Sequence, residues 1–415
     1  MPKYYETDSV SIMYPALGGL IYRICAVSKE PVDIALLRKA IEGIAPRFPI
    51  MCSHLERTFF GYRHVLATDY DVITEGEPFF RMPDMLDTEK PSFRVYVRGN
   101  RVTLDVYHGN GDAGAGMRFL AALMGNYFLL KRNLPPITEP LPDKEALCDP
   151  YKRYYKRAKF AKLFEKESYK MHLSYPEDYW FARFSCISVD LPTAKAFTKP
   201  RGLTINDLLC GALAMAIFET TDAKDGDLPV TISAPIDLRK QYHSNSQRNF
   251  VFFANLRTTK ERAVNLESAA KQIHELMQPA ASPEAMRRGI SLTYCAANNF
   301  VVKYCPRKLR EATVRKGYRH VAGNSITTTL SNVGYQTLPD EVKGDLERFE
   351  MYLGPGRGSI NAAAVGYGDK TSLCITCGSE ETVIEDTVQR ILSENGIKST
   401  RDAFAYKNRD LIEIE

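Results

Sequence analysis

The 415-residue sequence lacks several features that would assign it to a specialised class of protein. It has no run of about 18 uncharged apolar residues, so no segment is predicted to span a membrane. Its first residues lack the basic-then-apolar order of a signal peptide, so we expect a cytoplasmic protein. It also lacks repeats at solenoid periods and low-complexity tracts, which excludes repeat and fibrous architectures.

The cysteines lack the spacing of a disulfide or metal framework. There are nine of them, an odd number, scattered along the chain, so we expect free thiols in a reducing compartment. Cys374 and Cys377 have the C-x-x-C spacing, but they lie in a predicted strand, where an odd separation puts two side chains on opposite faces. Because no second pair completes a zinc site, the sequence predicts no metal.

The positive charge is not spread over the chain. The net charge is +5, and residues 151–172 alone carry eight Lys and Arg against two Glu. Proteins that bind nucleic acid usually distribute basic residues over a face or groove, so we expect no nucleic-acid partner. Tyrosine and phenylalanine are interleaved in this basic segment, which favours an exposed surface helix packed through its aromatic side chains. The alternative is a docking surface for a phosphate-rich or acidic partner.

The sequence is long enough for two domains of about 200 residues each. Its 44% hydrophobic and 25% charged content is typical of a globular protein. Residues 1–132 mix helical and strand patterns and are predicted to form an N-terminal α/β half. Residues 133–180 are predicted to be a linker that contains the basic helix, because four prolines between 135 and 142 break regular structure. Residues 181–415 again alternate strands and helices and are predicted to form a C-terminal half.

The most informative stretch is 107–113, which contains His108 and Asp112. Two alternating strands joined by a Gly-Asn turn precede it and predict a hairpin. His108 ends an apolar row on the second strand, and Asp112 is at the N-cap position of a predicted helix. An imidazole held at the rim of a core is well placed to act as a base. The alternative is a core histidine followed by a simple helix cap.

Five segments occur in an order that resembles the acyl-CoA-dependent acyltransferases of the chloramphenicol-acetyltransferase-like superfamily. They are His108 to Asp112 (His-x-x-x-Asp), Thr204-Ile205-Asn206-Asp207-Leu208-Leu209, Pro235-Ile236-Asp237-Leu238-Arg239, Asn249-Phe250-Val251-Phe252-Phe253-Ala254-Asn255 and Thr329-Leu330-Ser331-Asn332-Val333-Gly334. Within this superfamily the sequence looks most similar to single-chain alcohol O-acetyltransferases and polyketide-associated acyltransferases. These are relatives of peptide-synthetase condensation domains. The resemblance spans about residues 10 to 395.

The resemblance implies an α/β (α+β) fold of two similar mixed-sheet halves with an active-site tunnel between them. It implies that His108 is the general base, taking a proton from the acceptor as the acceptor attacks a thioester carbonyl. Asp112 would form a bidentate pair with Arg239 and hold the His108 loop in place. Ser331 and Asn332 would stabilise the oxyanion.

The activity implied by the resemblance is transfer of an acyl group from acyl-CoA to the hydroxyl of an alcohol-type acceptor by a monomeric enzyme. One alternative is a stand-alone condensation-type enzyme, with an amine or hydroxyl acceptor and a donor carried by an acyl carrier protein that docks on the basic segment. A second alternative is a catalytically inactive binding module. Tyr107 stands where condensation domains often have a second histidine, which favours a free-standing O-acyltransferase. Ala113 replaces the glycine that usually follows the motif's Asp.

Overall fold

The structure is a computed structural model that describes residues 4–413 except 12, 18–19, 60, 84, 87, 138–139, 159–166, 221–227, 300–303, 305, 313, 315–324 and 356–358. Strands and helices are interspersed along the described chain. The strands are β1 (Tyr4–Glu6), β2 (Ile21–Ser28), β3 (Ser53–Arg57), β4 (Tyr62–Leu66), β5 (Ile73–Glu75), β6 (Phe93–Arg98), β7 (Arg101–Tyr107), β8 (Phe181–Asp190), β9 (Val230–Asp237), β10 (Val251–Thr258), β11 (Thr328–Tyr335), β12 (Leu346–Tyr352), β13 (Ile360–Tyr367), β14 (Lys370–Cys377), β15 (Ser399–Lys407) and β16 (Asp410–Glu413). The α-helices are α1 (Ile34–Ile44), α2 (Ala113–Lys131), α3 (Lys144–Leu147), α4 (Pro150–Arg153), α5 (Leu191–Thr198), α6 (Ile205–Glu219), α7 (Leu238–Tyr242), α8 (Leu266–Ala280), α9 (Pro283–Ala297) and α10 (Val383–Glu394).

The first lobe is built on a five-stranded mixed sheet in the order β12-β2-β7-β6-β5. The predicted hairpin is confirmed: β6 and β7 pair antiparallel, with Gly99 at a positive φ of 58° in the turn. Helices α1 and α2 pack together, and α2 also packs on β2. Asp33 caps α1, and its side chain accepts a hydrogen bond from the N–H of Leu36. This lobe carries the loop between β7 and α2.

The second lobe is built on an eight-stranded sheet in the order β10-β9-β11-β13-β14-β8-β15-β16. Its central helix, α6, starts in the predicted capping box of Thr204 and Asp207. Leu208, Leu209 and Leu213 on this helix are completely buried, which explains why the apolar pattern of the segment is so broad. Together the two sheets confirm the predicted mixed α/β class.

One strand of the first sheet comes from far along the sequence. β12 pairs antiparallel with β2 and so forms the edge of the first sheet, although it lies in the range 181–415. The same strand also packs against β13 and β14 of the second sheet. The predicted boundaries at residues 132 and 181 remain predictions, and β12 crosses the division that they draw.

The described part of the basic segment 151–172 is not the exposed helix that was predicted, and its residues 159–166 lie outside the described residues. In its described part only the one-turn α4 is helical, and residues 155–158 and 167–172 have no regular structure. Tyr151 on α4 is buried in an apolar cluster with Leu238 and Phe250, and Tyr169 and Met171 are buried in the core of the second lobe. Lys156 is exposed, and Lys159 lies outside the described residues.

The described cysteines are free thiols. Cys374 and Cys377 lie on β14 and point into different apolar clusters, as the odd separation predicted.

No single helix in the described ranges is both long and apolar enough to cross a membrane, although the bent pair Leu191–Arg201 and Ile205–Glu219, at 96°, reaches that length and composition together.

Buried ion pairs connect strands of the first sheet, and one hydrogen bond links that sheet to the second lobe. Arg23 on β2 donates to both carboxylate oxygens of Asp105, at 2.7 and 2.8 Å, and to the hydroxyl of Tyr406 on β15 at 2.8 Å. On β12, Glu350 accepts from Arg101 and from Arg348, each at 2.7 Å. Burial opposes the ionisation of Glu350, but the two guanidinium groups outweigh it and lower the pKa of Glu350 to about 2.

This pKa predicts how stability depends on pH. The carboxylate of Glu350 stabilises the fold fully above the usual pKa of 4.5, and that contribution is lost as the pH falls through about 2. By linkage it amounts to roughly 3 kcal/mol of unfolding free energy. Urea unfolding between these pH values should therefore show a flatter pH dependence for Glu350→Gln than for the parent. The exposed-carboxylate variant Asp340→Asn should keep the parent's slope, and an equal slope in all three proteins would contradict the assignment.

Candidate active site

His108 lies at the junction between the first sheet and α2. β7 ends at Tyr107, residues His108–Asn110 form one turn of 3₁₀ helix, and α2 begins after Asp112. The N–H of His108 donates to the carbonyl of Leu20 at 2.8 Å, which anchors the start of the turn. The side chain is partly exposed, so it borders both the core and solvent-accessible space.

Aromatic rings fix the plane of the imidazole. Tyr14 stacks on His108 with ring centroids 4.6 Å apart, and Tyr22 meets it edge-on at 5.2 Å. The hydroxyl of Tyr22 donates to the backbone carbonyls of Gly111 and Asp112, at 3.2 and 3.1 Å, so this ring is itself held by the loop. The histidine side chain is therefore confined on two sides.

The amide of Asn249 determines the tautomer of His108. Its Nδ2 donates to the backbone carbonyl of His108 at 3.1 Å and to Oγ of Ser11 at 3.2 Å. Because a carbonyl only accepts, this orientation leaves the amide oxygen facing Nδ1 of His108, at 3.1 Å. Nδ1 therefore carries the proton. Nε2, which makes no hydrogen bond within the described part of the chain, keeps its lone pair.

Burial also favours the neutral imidazole. It lowers the pKa of His108 below its usual value, and this effect exceeds the opposing influence of its own backbone carbonyl, of Asp112 and of Asn249. At neutral pH the ring is thus uncharged and able to accept a proton at Nε2.

Asp112 does not touch the imidazole but holds the loop that carries it. Its Oδ1 accepts from the N–H of Ala115 at 2.9 Å and caps α2. Its Oδ2 accepts from Nη2 of Arg239 and from the N–H of Phe250, both at 2.8 Å. Burial raises the pKa of Asp112, but Arg239 and the Phe250 N–H outweigh this effect and place the pKa below its usual range.

The expected Asp112–Arg239 pair is present, but the expectation that it is bidentate is wrong. Only Nη2 of Arg239 reaches Asp112, because Oδ1 is used by the helix cap and Nη1 binds Asp237 at 2.9 Å instead. The remaining donors go to backbone carbonyls: Nε to Ser246 at 2.7 Å and Nη2 also to Arg248. Arg239 therefore joins the first lobe to the loop that precedes β10.

Ser331 and Asn332 lie on β11 and form no hydrogen bond with His108, Asp112 or Arg239 in the described structure. The amide of Asn332 donates to Oδ1 of Asn206 at 3.2 Å, and its oxygen accepts from the N–H of Gly334 at 2.9 Å. β11 does contact α2, the helix that begins at the His108 loop. Their predicted contact with an oxyanion remains a prediction.

Two residues of the site had no role assigned from the sequence. Asn249 belongs to one of the five motif segments, but nothing in the sequence indicated that it binds His108. Ser11 lies within hydrogen-bonding distance of Asp8, of the Gly109 carbonyl and of Asn249, at 2.7, 2.8 and 3.2 Å. No local pattern distinguishes this serine, because its contacts are made with distant parts of the chain.

The described residues contain no group of three or more His, Cys, Asp and Glu side chains arranged to hold a metal ion. The polar groups of the site are instead used to fix one imidazole.

The two motif residues should affect different properties of the protein. Asp112→Ala removes the cap of α2, leaves the Phe250 N–H unsatisfied and breaks a buried ion pair, so it should lower the unfolding free energy by roughly 3–5 kcal/mol. His108→Ala should cost much less, because the ring is partly exposed. Denaturant unfolding of both variants tests this difference, and equal stabilities would reduce Asp112 to an ordinary helix cap.

Comparisons with solved structures identify the fold, whereas no protein-family model and no curated protein sequence match the chain. Polyketide synthase associated protein 5 from Mycobacterium tuberculosis is 14% identical, with a TM-score of 0.63 over 94% of this chain and 98% of that protein. TRI101 of F. sporotrichioides, complexed with coenzyme A and T-2, is 12% identical, with a TM-score of 0.62 over 96% and 99%. TRI3 trichothecene 15-O-acetyltransferase from Fusarium sporotrichioides is 12% identical, with a TM-score of 0.59 over 94% and 93%. The chain therefore has the fold of the chloramphenicol-acetyltransferase-like acyltransferases, which its motifs resemble.

Proposed function

We propose that the protein is an acyltransferase that moves an acyl group from acyl-CoA to the hydroxyl of an alcohol-type acceptor, with His108 as general base. The observation that carries the proposal is the fixed tautomer of His108, whose Nδ1 faces the amide oxygen of Asn249 and whose Nε2 is unbonded. Two solved structures of the same fold support the substrate classes, one complexed with coenzyme A and one of a 15-O-acetyltransferase.

The reaction needs one proton to move twice. Nε2 of His108 takes the proton of the acceptor hydroxyl as the oxygen attacks the thioester carbonyl, and the imidazole becomes an imidazolium. When the tetrahedral intermediate collapses and the carbon–sulfur bond breaks, the imidazolium returns that proton to the departing thiolate. The products are an ester and free CoA, and the histidine is neutral again. Asn249 keeps Nδ1 protonated throughout, so Nε2 alone exchanges the proton.

The negative charge that develops on the carbonyl oxygen requires donors. We propose Ser331 and Asn332 for this role. Ser331 is nearly buried, and its hydroxyl has no protein partner among the described residues, so it is free to donate. Asn332 uses one amide hydrogen on Asn206 and retains the other. One such donor typically contributes roughly 2.7–4 kcal/mol to transition-state stabilisation.

The mutation His108→Ala should lower kcat for release of free CoA by about 10²–10⁴ while leaving the fold intact, because it removes the base and not the binding surfaces. The assay measures thiol release from acetyl-CoA and longer acyl-CoAs with a panel of alcohols and amines. His172→Ala is the matched control, since His172 is exposed and lies outside the site. A near-parent rate for His108→Ala would overturn the role of the base, whereas absence of acyl transfer by the parent protein itself would favour an inactive binding module.

The pH profile provides an independent test. Because the pKa of His108 is lowered, kcat/KM should fall on the acid side with an apparent pKa below the usual value of about 6.5. Asn249→Ala removes a hydrogen bond that favours the protonated ring, so its acid limb should move to still lower pH. An acid limb that stays in place in this variant would contradict the positioning role of Asn249.

A second candidate function uses a donor bound to a carrier protein. It is favoured by a group of exposed cations beside α4, namely Lys152, Arg153, Lys156 and Arg157. Acidic carrier proteins are recognised by such patches through long-range attraction. In this reading the acceptor is an amine or a hydroxyl, and His108 keeps its role.

Charge reversal in this group of cations distinguishes the two candidate acyl donors, acyl-CoA and a carrier-bound acyl group. Lys152→Glu with Lys156→Glu should weaken the use of a carrier-bound acyl donor at low salt, and the effect should shrink at high ionic strength because the charges are exposed. Acyl-CoA turnover should be unchanged in the same variant if CoA is the donor and the patch has no part in its binding. Loss of both activities at every salt concentration would show instead that the segment is needed for packing.

A further inference from the structure

A large cavity lies beside Arg239, the partner of Asp112. Its volume is about 1060 Å³, and Arg239 lines it while His108 does not. The walls come from α2, the segment before α3, the α7 region and residues 335–339.

The wall of this cavity is cationic. Four lining side chains are basic and two are acidic: Arg47, Arg118, Arg239 and Lys240 against Asp143 and Asp237. Both acidic side chains already have partners. Asp237 binds Arg239, and Asp143 caps α3 through the N–H of Ala146 and accepts from the amide of Asn245. Neither carboxylate forms an ion pair with Arg47 or Arg118, although the charge of Asp237 raises the pKa of Arg118.

Arg47 is the unusual member of this group. It is only 8% exposed, yet in the described structure its guanidinium has no hydrogen bond and no ion pair, and its Nη1 is buried. Its backbone is fixed, because its carbonyl accepts from the side-chain amide of Gln247 at 2.7 Å. A buried cation without a partner is costly, and proteins retain such groups where they meet an anion.

Arg118 on α2 is a second cation of the wall that could meet an anion. Its Nη2 donates to the carbonyl of Ser246 at 3.0 Å, and no carboxylate in the described chain forms an ion pair with it. Burial and the neighbouring charge of Arg239 lower the pKa of Arg118, and they outweigh the opposing effect of the carboxylates of Asp112 and Asp237. Two guanidinium groups thus border one cavity without forming an ion pair with any described residue.

We propose that this cavity binds a phosphate-bearing anion, with Arg47 and Arg118 as its ligands. Guanidinium groups present paired N–H donors in the geometry that suits phosphate oxygens. The bound anion would supply the counter-charge that the wall lacks. The phosphate is either a free ion or part of a nucleotide-type molecule, and the two sources share this recognition chemistry.

Isothermal titration of the full chain with inorganic phosphate, pyrophosphate and adenosine diphosphate, at constant ionic strength in a buffer without other multivalent anions, tests the proposal. We expect saturable binding of at least one of them, and a Kd roughly 10-fold or more higher in Arg47→Gln, as for the loss of a charge-assisted hydrogen bond. The free anions and the nucleotide are compared by their Kd values, which identifies the source of the phosphate.

Thermal melts provide the second measurement. Without added anion, Arg47→Gln should melt at or above the parent's temperature, because an unpaired buried charge has been removed, and it should lose the anion-dependent rise of the parent. Arg38→Gln removes the same charge from exposed α1 and should behave as the parent.

Absence of saturable binding in the parent, or unchanged binding in Arg47→Gln, would overturn the proposal. If Arg47→Gln does not fold, Arg118→Gln is measured with the same two outcomes. No acyl donor is used, so the result is independent of the acyltransferase assay.

Discussion

The carboxylate of Asp112 is where three parts of the molecule meet, and the site depends on its hydrogen bonds. One oxygen caps α2 and the other receives Arg239 and the Phe250 N–H from the second lobe. A buried charge is tolerated only when its hydrogen-bonding capacity is filled, so each of these donors must stay in place for the others to be accommodated. The loop between β7 and α2 is thereby fixed from both of its ends. His108 is presented by a backbone that cannot shift without breaking an ion pair.

The same arrangement divides two tasks between Asp112 and Asn249, which lie far apart in the sequence. Asp112 supplies rigidity and lies away from the ring, whereas Asn249 acts on the ring itself and decides which nitrogen carries the proton. A neutral amide suits the second task, because a carboxylate at that position would raise the pKa of His108 and favour the charged form. Burial and a neutral partner instead keep the imidazole uncharged, which a base that works near neutral pH requires.

Local features of the site were predictable from the sequence. The hairpin turn, the N-cap at Asp112 and the capping box at Thr204 each depend on residues within four positions of one another, and the structure contains all three. Contacts between distant segments were not predictable. Because the N–H of Ala115 in α2 uses Oδ1 of Asp112, only Oδ2 pairs with Arg239. Tyr151 and Tyr169 of the basic segment are buried, and most of its described part is not helical, because packing outweighs helix propensity there.

The position of β12 has a consequence for how the chain is made. This strand completes the edge of the first sheet, but in sequence it follows β8 to β11 of the second sheet. During synthesis on the ribosome the first 132 residues therefore emerge with one side of β2 unpaired, and it stays so until residue 352 has left the exit channel. An open strand edge of this kind invites wrong pairing. The two lobes consequently cannot mature one after the other as separate units, and a nascent chain needs protection until its second half has been translated.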